Sequence, residues 1–246
     1  MRRWLIDAGD NVISNGHLLL VGGPTGAAKT RLLNEGNAGK PIPGSIDLEG
    51  LANHRGSAFG RRVTEQPTQI GFELAFGAQL IKHRWYGHQK LILEDEGRLI
   101  GRCALPRALQ SARGDADWVQ LDASIEARVQ HSYENYILTN LEELLAQDAA
   151  CGFDHFASGL LESLERIQKR LGGPRFDALR STMLEALVSH ERGAPEAHKT
   201  WIRQLLTDYY DPMYEYQMNK RNRPPVFRGN EGDVAEYLLH IAQRHS

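Results

Sequence analysis

The sequence predicts an α/β fold, a P-loop NTPase-like parallel sheet flanked by helices with a C-terminal helical extension, from three observations. First, the apolar run Leu18 to Val21 is followed by a glycine-rich turn and a helix start. Second, the apolar run Leu91-Ile92-Leu93 ends in the carboxylates Glu94-Asp95-Glu96. Third, the buried-strand run Trp118 to Asp122 is followed by Ser124, which opens another helix. Apolar strands that alternate with helices make a parallel sheet.

The first of these stretches reads HLLLVGGPTGAAKTR over His17 to Arg31. Strand, tight turn, then Lys29-Thr30 at a helix start is the arrangement of a phosphate-cradling P-loop. Its phosphate-binding candidates are Gly23, Thr25, Gly26, Ala27, Ala28, Lys29 and Thr30. Backbone N–H groups wrap the anion, Lys29 supplies a point charge, and the Thr30 hydroxyl reaches a Mg²⁺ ion. The motif asks for glycine immediately before the lysine, and this chain has Ala28. Alanine keeps its N–H, so the cradle forms where the local backbone tolerates a β-carbon.

Composition bounds the class. The chain has 246 residues, 41% hydrophobic and 24% charged, with a formal net charge of −2. That describes an ordinary globular protein. No apolar run approaches the roughly 20 residues of a membrane span, and nothing N-terminal resembles a secretion signal. Cys103 and Cys151 form no CxxC pair, so neither a zinc site nor a disulfide framework is predicted, and a reducing cytoplasm is expected. A nucleic-acid partner must meet a local basic patch rather than a basic surface.

In chain order, residues 2–12 predict a short helix and Lys29 to Glu35 the helix after the P-loop. Ser45-Ile46-Asp47-Leu48 predicts a second strand. From Asp47 the chain reads DLEGLANHRGSAFGRR, with glycines at 50, 56 and 60 that predict a shaped loop. Acidic residues followed by Gly50 have the form of a switch segment that holds Mg²⁺ or water, while His54, Arg55, Arg61 and Arg62 add cationic side chains; the alternative is a solvated surface loop. Phe72 to Ile81 predicts a helix. The run ending in Glu94-Asp95-Glu96 has the form of a Walker-B strand, which makes Glu94 or Asp95 the metal-water ligand without deciding between them. Pro106 opens a helix, and Asp122 to Arg128 reads D-x-x-x-E-x-R, in which Arg128 either approaches phosphate or pairs within its own helix.

Beyond residue 130 the chemistry thins. Leu160, Leu164, Ile167, Leu171 and then Leu179, Met183, Leu187 recur at helical spacing and read as core. Tyr209 to Tyr216 carries four tyrosines beside the cations of 220–223; these stack on RNA or line a helix junction, and both readings stand. The expected division is a P-loop α/β core over 1–130 and a helical extension over 131–246, with a short edge strand at 224–228 returned to the sheet. Asn230 caps a last helix that has Val234, Tyr237, Leu238 and Ile241 on one face.

In order, these pieces resemble the P-loop domain of the bacterial tRNA 2-selenouridine synthases. The resemblance rests on GGPTGAAKT at 22–30, DLEGLANHRGSAFG at 47–60, QPTQ at 66–69, EDEGRLIGR at 94–102 and YYDPMYEYQ at 209–217, and it extends over nearly the whole chain. It implies wobble-uridine chemistry on tRNA: 2-thiouridine is S-geranylated from geranyl diphosphate, then converted to 2-selenouridine with selenophosphate. It also implies a rhodanese-like domain that carries the selenium-bearing cysteine. Nothing in this chain resembles that domain, so a partner or a longer chain is expected to complete selenation. The chain departs from the family pattern at Ala28, where glycine is usual, and at Gly97, where serine is usual.

With that resemblance, the catalytic candidates are Lys29, Asp47, Glu49, Glu94 and Asp95, and Thr30, Glu94 and Asp95 are the candidates to hold Mg²⁺. The candidates to meet tRNA are His54, Arg55, Arg61, Arg62, Arg98, Arg102, Lys220, Arg221 and Arg223. Two rivals remain open at this level: a small-molecule kinase, supported by D-x-x-x-E-x-R, and a non-catalytic tRNA-binding module.

Overall fold

The computed structural model describes residues 2–15, 17–221 and 223–243. Met1 and Ser246, the outer limits of the two predicted parts, and Asn222 in the basic stretch lie outside the described residues.

The chain enters through α1 (Arg2–Asn15), makes β1 (His17–Gly22) and turns into α2 (Lys29–Glu35). A single-turn helix α3 (Leu48–Leu51) and the long α4 (Gln69–Trp85) precede β2 (Lys90–Glu94). A small antiparallel pair, β3 (Leu99–Ile100) with β4 (Cys103–Ala104), and α5 (Arg107–Ala112) lead to β5 (Asp117–Leu121). The extension is built by α6 (Ile125–Tyr133), α7 (Thr139–Gln147), α8 (Gly152–Glu165), α9 (Gln168–Leu171), α10 (Gly173–Glu191), α11 (His198–Leu205) and α12 (Asp211–Asn219). The chain then returns through β6 (Phe227–Gly229) and α13 (Glu231–Gln243).

The main sheet has the order β2-β1-β5-β6, and every neighbouring pair is parallel. Parallel strands are covered on both faces, which is why β1 and β2 read as unbroken apolar runs rather than alternating ones. Their side chains still alternate in direction. Leu20, Leu91, Leu93 and Trp118 pack with Phe72, Phe76 and Leu80 of α4 on one face. Leu19, Val21, Ile92 and Val119 meet Leu32 and Leu33 of α2 and Val234 and Leu238 of α13 on the other. Phe72 and Phe76 are almost wholly buried, each stabilising by roughly 1.5–3 kcal/mol. The extension has its own core around Ile137, Leu164, Met183 and Trp201.

Helix starts follow their capping residues. Thr68 Oγ1 accepts from Gly71 N at 3.1 Å, Ser124 Oγ from Ala127 N at 3.2 Å, and Asn230 Oδ1 from Asp233 N at 3.1 Å. The predicted strand over Ser45–Leu48 is not a strand. Ser45 makes one parallel bridge to Ile92, and Asp47 then caps α3 by accepting from Gly50 N at 2.6 Å. The carboxylate offers the backbone a local partner, and the ladder stops there. The helix expected over Phe72 to Ile81 is longer at both ends, and the edge strand expected over 224–228 lies at Phe227–Gly229. Pro224 and Pro225 have no N–H to give a ladder. From Phe227 onward the chain packs in the α/β layer, so the extension proper stops short of 246.

Two π-helical turns interrupt the extension, Glu134–Leu138 between α6 and α7 and Leu206–Tyr210 between α11 and α12. An ion pair ties the second of these regions to the core. Arg128 of α6 donates from both terminal nitrogens to the two Asp211 oxygens, at 2.5 and 3.1 Å, and from Nε to the Thr25 carbonyl at 2.9 Å. Removing Arg128 leaves the half-buried Asp211 without its partner. Arg128→Met is therefore expected to lower stability by about 1–3 kcal/mol, read as a drop in the urea unfolding midpoint; an unchanged midpoint would mean the tie contributes nothing.

Candidate phosphate-binding site

All four parallel strands point their carboxyl ends the same way, so the turn after β1, the acids after β2 and the segment after β5 gather at one edge of the sheet. The turn between β1 and α2 needs left-handed backbone at two positions. Gly26 has φ +82°, and a β-carbon there would lie 2.9 Å from Ser132 Oγ, too close without a shift. Ala28 has φ 61° and ψ 33°, also left-handed, and is buried. The region therefore tolerates the β-carbon of Ala28 only at a cost, about 1–2 kcal/mol for an L-residue. Lys29 Nζ donates to the Gly23 carbonyl at 3.1 Å, which folds its side chain back over the turn. Thr30 Oγ1 donates to Glu49 Oε2 at 3.0 Å.

A cleft of 380 Å³ opens over this turn. Thr25 to Arg31 form one wall, and Glu49, Arg55, Gly56, Arg62, Glu96 and Tyr136 stand across it. Of the phosphate-binding candidates, all but Gly23 line the cleft; Gly23 lies behind it and holds the Lys29 ammonium. The acidic candidates divide. Glu49 and Glu96 converge on Gly56, where a β-carbon would overlap Glu49 Oε1 and lie 3.0 Å from Glu96 Oε2. Asp47 is occupied as the cap of α3 and accepts from Asn34 Nδ2 at 2.7 Å. Glu94 is buried behind the cleft and accepts from Leu48 N at 3.1 Å. Asp95 is turned to the other side, where it pairs with Arg113 at 2.8 Å and Arg221 at 2.6 Å.

The structure thus corrects the expectation that Glu94 or Asp95 faces the P-loop as the metal ligand. Neither lines the cleft, and Glu96, which was not among the candidates, does. The strand ends at Glu94, so the course of the chain after it, rather than strand alternation, decides which of the following carboxylates enters the cleft. Among the described residues no three His, Cys, Asp or Glu side chains cluster to hold a metal by themselves. Thr30 Oγ1 with the Glu49 and Glu96 carboxylates nevertheless fits Mg²⁺, which takes one or two carboxylates and fills its remaining positions with phosphate oxygens and water.

These carboxyls are held far from their ordinary range. Burial, with Glu96 close by and against the pull of Lys29 and Thr30, raises Glu49 to about 8. Glu96 is raised by burial and by Asp95, against the pull of Lys29. Glu94 is raised well above a normal carboxyl by burial and by Asp47, Glu49 and Glu96. Two such carboxyls side by side titrate as a pair rather than singly.

The cationic candidates also divide. Arg55 and Arg62 line the P-loop cleft; Arg55 is fixed by donating to Asn140 Oδ1 at 2.6 Å. Arg61 and Arg102 are exposed beside it, Arg102 donating to the Gln66 carbonyl and standing 3.7 Å from Glu65. His54 is buried and neutral, its pKa lowered to about 4 by burial and by Arg166, Arg61, Arg55 and Arg62, so it adds no charge. Arg98 is exposed and lies outside the cleft. Lys220 stacks on Tyr216, Arg221 pairs with Asp95 over the Trp118 ring, and Arg223 donates to the Asp115 carbonyl at 2.9 Å. None of these three lines the cleft, which favours the junction reading of the tyrosine and basic stretch. Arg128, offered to phosphate by its motif, is instead bound to Asp211 and to the loop's own carbonyl.

Two tyrosines shape the site, Tyr136, which sequence reasoning does not assign, and Tyr210, one of the four tyrosines read as stacking on RNA or lining a helix junction. Ser57 Oγ donates to Tyr136 Oη at 3.0 Å, and Ala58 N donates to Tyr210 Oη at 3.1 Å. Tyr136 and Tyr210 each come from a π-helical turn, an interruption of regular helix that frequently marks functional sites.

The strained alanine and the raised carboxyl each have a consequence in solution. Ala28→Gly relieves the left-handed strain while adding unfolded-chain entropy, so a net gain of about 0.5–1 kcal/mol is expected in urea unfolding; a loss would show that the β-carbon packs favourably. For Glu49 the sign runs against stability at high pH, because its folded pKa is raised: the folded state holds a proton that the unfolded state has lost between pH 4.5 and about 8. Stability should fall across that window by up to about 1.4 kcal/mol per pH unit, and Glu49→Gln should flatten the fall. Parallel pH profiles for the two proteins would remove Glu49 as its source.

The profile of the tRNA 2-selenouridine synthase AAA domain matches residues 16–245. Similar proteins named tRNA 2-selenouridine synthase come from Hahella chejuensis, 45% identical over 98% of this chain, and Marinobacter nauticus, 42% identical over 96% of it. A third, from Pseudomonas fluorescens, is 41% identical over 99% of the chain. The chain spans 62%, 64% and 66% of the length of these three relatives. No solved structure matches it. The match over nearly all of the α/β core and its extension places this chain in the tRNA 2-selenouridine synthase AAA domain family.

Proposed function

We propose that this chain is the diphosphate-handling part of a 2-selenouridine synthase, acting on tRNA with 2-thiouridine at the wobble position. The observation that carries this reading is one 380 Å³ cleft that brings P-loop amides, Lys29, Arg55 and Arg62 against the carboxyls of Glu49 and Glu96. Its cations suit the charge of a diphosphate, and its carboxyls with Thr30 Oγ1 suit a Mg²⁺ ion on that diphosphate. The ion would supply charge neutralisation on the leaving group.

The donor in this reading is geranyl diphosphate. The wobble sulfur attacks the first carbon of the geranyl chain, an S–C bond forms, the C–O bond breaks, inorganic diphosphate leaves with the bonding pair, and the base loses its N3 proton to water. Charge grows on the leaving oxygen, and Lys29 and the loop amides stabilise it where it develops. A recess of 210 Å³ opens beside Arg62, with Phe59, Val63, Leu144, Phe156 and Leu160 on its apolar side and Arg61, Asn140, His155 and Glu162 among its polar lining, and the geranyl chain is assigned to the apolar side. Replacement of the geranylthio group with selenophosphate is assigned to a rhodanese-like domain, in a longer chain or a partner, consistent with relatives longer than the match. The setting is the cytoplasm, where tRNA is modified; no helix among the described residues is long and apolar enough to cross a membrane.

A single-turnover assay with 2-thiouridine tRNA, Mg²⁺ and geranyl diphosphate tests the reading, with nucleosides weighed by mass spectrometry. Wild type should yield S-geranyl-2-thiouridine, and Lys29→Ala should slow transfer by about 10²–10³, the usual effect of losing one transition-state donor. Equal rates would remove the P-loop from the reaction.

A further inference from the structure

A second pocket of 670 Å³ adjoins the P-loop cleft, and Gly56, Ser57 and Arg62 line both. Four guanidinium groups belong to its wall, those of Arg61, Arg62, Arg102 and Arg166. Only rim acids answer them. Glu65 stands 3.7 Å from Arg102 with its side chain 94% exposed, and Glu162 stands 3.8 Å from Arg61 with its side chain 62% exposed. Pairs this open are weak and screened by salt.

Two of these cations, Arg62 and Arg166, have no acid within ion-pair distance among the described residues. Arg62 Nε is buried and makes no hydrogen bond. Arg166 is held in place by donating to the Ala58 carbonyl at 3.1 Å and Ser163 Oγ at 2.6 Å, neither of them an anion. His54, buried in the same wall, has its pKa lowered to about 4 by burial first and by the surrounding arginines second, so it carries no charge there. A pocket in this condition takes an anion.

We propose that this pocket binds a backbone phosphate of the RNA substrate beside the reacting nucleotide, so that one wall, Gly56 to Arg62, separates the RNA phosphate from the diphosphate. The proposal rests on the tRNA reading above. A phosphodiester fits better than a free small anion because the guanidinium groups are spread along an open track. Arg61 and Arg102 stand at the rim, 65% and 59% exposed, Arg166 is exposed as well, and Arg62 lies deeper. Such a track follows a strand; an enclosed cradle of backbone amides, as in the P-loop, captures a terminal phosphate.

The test uses a fluorescein-labelled anticodon stem-loop RNA and the double variant Arg61→Gln/Arg102→Gln, whose exposed positions leave the core intact. RNA affinity is followed by anisotropy over a range of salt, and inorganic pyrophosphate binding by calorimetry reports the P-loop cleft separately. The variant should bind RNA about tenfold more weakly, with the salt slope reduced by about 0.7–0.9 for each phosphate that is no longer neutralised, and with pyrophosphate affinity unchanged. An unchanged RNA affinity and slope would overturn the proposal. A loss of pyrophosphate affinity with the RNA slope intact would overturn it too, returning these arginines to the diphosphate cleft. Inorganic phosphate that displaces RNA from wild type at low concentration, but not from the variant, would overturn it in favour of a small-anion site. Failure of wild type itself to bind the RNA would defeat the tRNA reading, a different result from failure of the variant to differ.

Discussion

The site depends on the guanidinium of Arg128. Its Nε fixes the Thr25 carbonyl in the middle of the P-loop, and its two terminal nitrogens grip Asp211 at the head of α12. An anion cradle works only if its N–H groups are aimed before the ligand arrives, because turning them afterwards costs the energy binding should supply. Here the aim is set from outside the loop, by the extension. The helical part is therefore not a passenger on the α/β core. It is one of the surfaces against which the loop is shaped.

The loop from Asn53 to Arg62 is held in the same manner. Ser57 and Ala58 meet the hydroxyls of Tyr136 and Tyr210, one from each π-helical turn. Burial drives the Tyr136 pKa up to about 12, so that ring stays neutral across the working range. A π turn shifts the side chains after it around the helix axis, and the shift in both helices brings a hydroxyl onto one short loop. That loop carries Arg55 and Arg62 into the cleft and Arg61 to its edge. Position on the loop, rather than charge alone, decides which arginine faces which ligand.

Much of this was legible in the sequence because it is local. The apolar runs of β1 and β2, the glycine-rich turn with Lys29-Thr30, and the caps at Thr68, Ser124 and Asn230 are each set by a few adjacent residues. What was not legible depends on partners far along the chain. Arg128 reads as a phosphate ligand or a helix pair until Asp211, distant in sequence, takes it. Asp95 reads as a metal ligand until Arg113 and Arg221 occupy it. Ser45 to Leu48 has strand composition, yet the Asp47 carboxylate ends the ladder with a helix cap. Tyr136 gave no signal because a π turn has no composition of its own, and Tyr210 stood out only as one of four clustered tyrosines. Glu96 lies past the end of β2, where alternation no longer decides which carboxylate faces the cleft.

Lys29 faces the carboxyls of Glu49 and Glu96, both raised above the ordinary range chiefly by burial, and its ammonium rests on the Gly23 carbonyl. In the reading proposed above, Lys29 and the loop amides would hold the diphosphate, and Thr30, Glu49 and Glu96 would hold a Mg²⁺ ion that supplies charge neutralisation. An ionised carboxyl binds a cation better than a protonated one, so the raised pKa of Glu49 would make that binding depend on pH. Arg62, at the junction of the cleft, the recess and the basic pocket, adds a charge that responds to neither proton nor metal. A guanidinium keeps its charge whatever its surroundings do, which suits the one side chain that all three openings share.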